Sequence, residues 1–276
     1  MSKDNTDFFR FQTREAQLAA AREMNLFSNV FMSVALEDPA ACAYVLKILT
    51  GIKDLQIIEV RTQEHIAKLV SRDVILDVLA QDSTGRMYNI EVQRADTIDH
   101  ARRVRLYRSS VDSEILKKGT DVDSLPELYV VYLSEIDIFK SNLAWDVVLQ
   151  KFQRSGKEYD DGCHLIYANA EINENDSISS LMQYFKTADP DDRSHGDLSK
   201  RVYFLKREKE GEDIMCKVSE SFIQEGKREG FLEAILNLMA TTKWDVEKAM
   251  DALRINPDER ATYAAFVKAA LATNAQ

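Results

Sequence analysis

Cysteine is scarce: Cys42, Cys163 and Cys216 are the three in 276 residues, far apart and in no C-x-x-C pair. An odd, scattered set excludes a disulfide framework and a structural zinc knuckle, and it points to a reducing compartment. With four prolines and nine glycines, the chain shows no low-complexity segment and no internal repeat. It has no uncharged apolar run of about 18 residues, which excludes a transmembrane helix. Met1 to Arg10 mixes charges of both signs and lacks an apolar stretch, so no signal peptide is expected and the expected location is the cytoplasm. Positive charge is in deficit, with 36 Lys+Arg against 46 Asp+Glu and a formal net charge of −10. That deficit excludes a general nucleic-acid coat, which needs broad positive charge to displace counterions. It leaves room for an enzyme with one local basic strip.

What is present is a core. Apolar residues make up 45% of the chain, enough for one large domain or one domain with an appendage. From Phe8 to Leu49 they recur at spacings of three, four and seven, which predicts helix. Asp38-Pro39 divides that stretch, because a residue before proline avoids the α region, and Gly51 ends it. The period then changes to two. Leu55–Val60, Val74–Ala80 and Arg86–Gln93 read as strands, the last two joined as a hairpin by Asp82-Ser83-Thr84-Gly85. Ile98–Lys118 is helical again, with Asp96 or Thr97 as its N-cap. The apolar run Glu127–Leu133 suits a strand buried on both faces. Trp145–Phe152 and His164–Asn169 read as further strands. Helices follow from Asp176, interrupted by a loop at Ala188–Gly196. The order predicts a mixed α/β sheet flanked by helices, with a C-terminal helical appendage from about Gly230.

The hairpin carries the chemistry. Alternation puts Asn89, Glu91 and Gln93 on one face of their strand, and a polar triplet there is costly unless hydrated, paired or bound to metal. Asp77 on the neighbouring strand can converge on Glu91. Two close carboxylates repel, and a divalent cation relieves the repulsion; oxygen ligands select Mg²⁺, Mn²⁺ or Ca²⁺. Such an ion activates water for attack on a phosphate, and Gln93 is placed to orient that water. The plainer alternative makes Asp77 an exposed strand residue and Glu91 the partner of an arginine.

Leu76-Asp77-Val78, the Asp82–Gly85 turn and Tyr88-Asn89-Ile90-Glu91-Val92-Gln93 together resemble the motif of the PD-(D/E)XK nuclease superfamily. They resemble in particular its branch of nuclease-family transposases, which includes the bacterial recombination-promoting nucleases. Arg94-Ala95-Asp96, the Arg103–Tyr107 segment, Leu125-Pro126-Glu127, Tyr129–Tyr132 and Gly162–Asn169 are similar as well. The resemblance covers roughly residues 25 to 230, and the segment beyond Gly230 has no counterpart in it. It implies a restriction-endonuclease-like core, expected over residues 1–229; the helical segment expected over 230–276 rests on the apolar pattern alone. It also implies metal ligation by Asp77 and Glu91, with Glu37 of the first core helix as a third acid. Gln93 stands where the wider superfamily has lysine, and a neutral amide orients water but brings no charge. The activity implied is a metal-dependent DNA endonuclease linked to transposition or recombination.

Five arginines and two aspartates lie between Arg94 and Arg108, a local excess of three positive charges suited to a phosphodiester backbone. Arg94, Arg103 and Tyr107 are the candidate nucleic-acid contacts. His100 reads as a surface or capping residue, and Cys163-His164 as core. Trp244, Val246, Ala249, Met250 and Leu253 fall at helical spacing and indicate a packed bundle. A helix-turn-helix or a homodimer through these helices stays open. Two other functions remain beside the DNA endonuclease: a non-catalytic binding module on the same fold, and a metal-dependent hydrolase of RNA.

Overall fold

A computed structural model of the chain describes residues 14–66, 74–94, 100–116, 119 and 121–273. The N-terminal helical stretch divides in three: α1 (Arg14–Glu23), α2 (Asn29–Leu36) and α3 (Pro39–Thr50). Its residues before Arg14 lie outside those described, as do the expected N-caps Asp96 and Thr97. Asn25 causes the break that apolar period does not reveal. Its side chain accepts from Phe27 N at 3.1 Å and donates to Lys186 O at 3.1 Å, a local bond that competes with helix. The break before α3 is the expected one. Asp38 accepts from Ala40 N and Ala41 N, Pro39 takes the first helical position, and Gly51 closes the helix with φ +73°.

The hairpin joins β2 (Val74–Asp82) to β3 (Met87–Gln93), and β1 (Ile57–Ile66) flanks it. Its turn is organised by Asp82, 1% exposed. One carboxylate oxygen accepts from Thr84 N, Thr84 Oγ1 and Arg86 N, and the other from Tyr88 OH at 2.8 Å. Burial pushes the Asp82 pKa up and these bonds pull it down; the bonds win and hold it below the usual carboxylate range. Gly85 supplies the φ of +90° that the reversal needs. β1 runs past the expected Val60 because it pairs along β2 as far as Ile66↔Val74. Polar residues on both of its faces hide that extension from a period argument.

α4 (His100–Ile115), β4 (Leu128–Ser134), β5 (Trp145–Val148) and β6 (Cys163–Asn169) complete the sheet, whose strand order is β1-β2-β3-β4-β6-β5. β3, β4 and β6 are parallel, while β1, β2 and β5 pair antiparallel with their neighbours. Glu91 lies level with Tyr132, and Tyr132 with Tyr167. On that face Val104 and Val111 of α4 pack among Met87, Val130, Tyr132 and Tyr167. Ile90, Val131 and Leu133, pointing the other way, are also fully buried, so the central strands are covered on both sides. α5 (Ser177–Thr187) and α6 (Gly196–Arg207) pack with α2 and α3, and α5 and α2 reach the sheet.

α7 (Lys209–Thr242) is continuous, and the division between two compact units falls inside it, between Cys216 and Lys217. The boundary expected at residue 230 lies in the same helix. In the second unit α8 (Val246–Ala252) and α9 (Pro257–Thr273) pack on α7 around Ile235, Ala249, Met250, Ile255, Tyr263 and Val267. Ala249 and Met250 thus serve the unit's own core, the packed bundle their spacing indicated. No helix among the described residues is long and apolar enough to cross a membrane.

Candidate active site

The β2–β3 ladder runs regularly from Gln81↔Met87 to Val78↔Ile90. The next pair in that register is Asp77 and Glu91, and here side chains replace the backbone partners. Val92 N donates to Asp77 Oδ2 at 2.9 Å, and Asp77 N donates to Glu91 Oε1 at 3.4 Å. Each carboxylate therefore reaches across to the other strand, and the strands part around them. Asp77 is 8% exposed and Glu91 4%.

Burial raises both pKa values. For Asp77, the Val92 amide, Gln63 and the charge of Arg103 oppose the rise. For Glu91 the rise is larger: burial comes first, the Asp77 charge adds to it, and Asn89, the Asp77 amide and Arg103 oppose it. The Asn89 amide, wholly buried, has no partner of ordinary hydrogen-bond geometry, yet it lies near enough to Glu91 to favour its charged form.

Both acids open into a cleft of about 260 Å³. Asn29 of α2, Gln63 of β1 and Ile75 of β2 line it with them, as do Val92 and Gln93 of β3, Arg103 and Tyr107 of α4, and Tyr132 of β4. Arg103 Nη1 donates to Gln93 Oε1 at 3.5 Å, the long limit for such a bond. Tyr107 is half-buried one turn further along α4, and burial beside Glu91 raises its phenol pKa. Asp77, Glu91, Gln93, Arg103 and Tyr107 are thus gathered at one place.

The chain belongs to the PD-(D/E)XK nuclease family transposases. The model of that family matches residues 43–261, and the six-stranded mixed sheet with helices on both faces is consistent with the family's nuclease fold. No curated protein and no solved structure gives a significant match. The match begins later than the resemblance at residue 25, and it continues through α8 into α9, which the resemblance left out.

Two expected site residues of this family member lie elsewhere. Glu37 is exposed at the C-terminal end of α2, where its backbone N–H caps Ser33 O. α2 reaches the cleft with Asn29 at its opposite end, about 12 Å away at 1.5 Å per residue. Among the described residues no third His, Cys, Asp or Glu completes a cluster with Asp77 and Glu91. Arg94 is committed to structure: Nε donates to Phe27 O at 3.0 Å and Nη2 to Asn25 Oδ1 at 3.1 Å, tying β3 to the α1–α2 corner. His100, expected at the surface, packs against the rings of Phe139, Tyr167 and Tyr132.

Gln63 is the residue that sequence reasoning missed. It sits in β1 beside Asp77, with φ +52°, a left-handed conformation rare for a side chain in a strand. Its amide nitrogen is buried without a geometrically sound partner. Strain of this kind concentrates at functional sites. No local sequence signal marks it, because glutamine is unremarkable in a polar strand.

Proposed function

We propose that this family member is a divalent-metal-dependent endonuclease that hydrolyses DNA phosphodiesters in transposition or recombination. The observation that carries the reading is the Asp77–Glu91 pair: two buried carboxylates, crossed onto each other's strands, with the proton affinity of both raised. A divalent cation would offset the repulsion within such a pair. The donor set is all oxygen, as Mg²⁺ or Mn²⁺ prefers, and Mg²⁺ is commonly held by one or two carboxylates with water and substrate phosphate completing the shell. Asp77 and Glu91 would hold it. A divalent ion bound there supplies charge for the phosphate oxygens and acidifies the attacking water.

The chain's own residues supply the rest. Gln93, on the Glu91 face, orients water through its amide while Arg103 holds its carbonyl oxygen. Arg103 places a fixed cation beside both acids, which is the charge that a lysine at position 93 would have brought. Tyr107 and Tyr132 wall the cleft and limit water around the pair.

The test is cutting of supercoiled plasmid in Mg²⁺, Mn²⁺ or Ca²⁺, with a single-stranded RNA arm. Wild type should nick or linearise the plasmid, while Asp77→Ala and Glu91→Ala lose at least about 100-fold. Equal cutting by all three would place the activity elsewhere. RNA cleavage without DNA cleavage would change the substrate. No cutting by folded protein in any metal would leave a binding module.

A further inference from the structure

Beyond Val148 the chain leaves β6 and folds on itself. Phe152 N donates to Lys157 O at 2.8 Å, Tyr159 N donates to Gln150 O at 2.9 Å, and Lys151 bridges Glu158 through the backbone. The result is a short hairpin, Gln150–Tyr159, exposed at every residue. It holds three cations, Lys151, Arg154 and Lys157, against one carboxylate, Glu158, on a chain of net charge −10. None of these cationic side chains makes an ion pair or hydrogen bond with a described residue. Phe152 and Tyr159 are 53% and 49% exposed, and their rings meet edge to face at 5.5 Å.

Asp146 of β5 lies opposite Tyr167, which is level with Glu91 through Tyr132. Within the hairpin, the pairing puts Gln150, Phe152, Lys157 and Tyr159 on one face and Lys151 with Glu158 on the other. Gln150 Nε2 and Arg108 Nη2 of α4 both donate to Asp161 Oδ2, at 3.2 Å and 2.9 Å. The hairpin's base is therefore pinned to the helix whose Arg103 enters the cleft.

We propose that Gln150–Tyr159 is a duplex-docking arm. Lys157 on the ring face, Arg154 at the turn and Lys151 on the opposite face neutralise backbone phosphates outside the cleft, and Phe152 and Tyr159 lie against the sugar and base edges. The inference rests on the nuclease reading only for the identity of the ligand as DNA. Charge favours a phosphate backbone as the ligand: three cations without side-chain partners lie beside the exposed rings.

The experiment measures binding of the full-length protein to a labelled duplex of about 30 base pairs in EDTA, by anisotropy across a salt series, for wild type and the triple variant Lys151→Ala/Arg154→Ala/Lys157→Ala. Circular dichroism confirms that the variant is folded. The expected result is at least a tenfold weaker Kd and a log–log salt slope lower by about 2 to 3, near 0.9 per lost phosphate contact. An unchanged Kd and slope overturns the proposal and leaves the nuclease reading standing. Tight binding that depends on the arm, with no cutting in any metal, retains the arm and removes the nuclease. Absence of binding by wild type removes both. A dimer by light scattering that Phe152→Ser dissociates, with DNA affinity unchanged, makes the hairpin a self-association surface and also overturns the proposal.

Discussion

Glu91 carries its charge in a poor place for stability, almost wholly buried and opposite Asp77. Burial and the neighbouring charge raise its pKa in the fold. A carboxyl raised in this way favours the folded state below its unfolded pKa, and that contribution is lost as pH rises through the folded value. Glu91→Gln should therefore stabilise the metal-free protein at pH 7.5 by more than about 1 kcal/mol, and the gain should fade as pH approaches about 4. Urea unfolding in EDTA at several pH values measures it. Adding Mn²⁺ should raise the wild-type Tm and leave that of Glu91→Gln nearly unmoved, because a ligand stabilises only the state that binds it. A variant less stable than wild type at pH 7.5 would mean that the carboxylate is satisfied within the protein.

Gln63 tests strain at the same scale. Glycine in a strand costs about 0.5–1 kcal/mol at an ordinary position, but at φ +52° it relieves a penalty of similar size. Gln63→Gly should leave the urea midpoint nearly unchanged while plasmid cutting falls. A stability loss above about 1.5 kcal/mol would make the amide a structural group.

Among the elements, the β2–β3 hairpin positions both acids, and Asp82 holds its turn by accepting from Thr84, Arg86 and Tyr88. Asp82→Ala strands the buried Tyr88 hydroxyl and two turn amides, at an expected cost of about 2–4 kcal/mol in unfolding free energy. The Asp82 pKa is depressed in the fold, so its stabilisation is present above the unfolded value and is lost as pH falls through the folded one. Below about pH 4 wild type and variant should converge. A constant gap down to pH 2 would rule out the ionised carboxylate as the source.

Across the whole molecule, the two compact units have separate cores, and α7 runs through both. Met250, fully buried in the second, should cost about 2–4 kcal/mol when cut to alanine. Hydrogen exchange should accelerate in α8 and α9 and stay unchanged in β3 and β4, since separate cores open separately. Acceleration in both would show one cooperative unit.

The hairpin was legible in the chain because its signals are local. Period two, a D-x-x-G turn and alternation place Asp77 beside Glu91 with no knowledge of the rest, and Pro39 and Gly51 mark helix ends in the same way. Local signals were also enough for the apolar runs of β4 and β6. What the linear text could not supply is which distant residues share the cleft. Glu37 and Asn29 stand near opposite ends of α2, and only the Asn29 end reaches the cleft. Arg94 and Arg103 look alike as cations. One is spent on carbonyl and amide oxygens some 67 and 69 positions away, and the other faces two carboxylates. Gln63 becomes a site residue only because β1 lies against β2, which brings it to Asp77. Local chemistry determined the acids and their strand; packing between remote segments decided their company, because hydrogen bonds and burial act over ångströms in space and not along the chain.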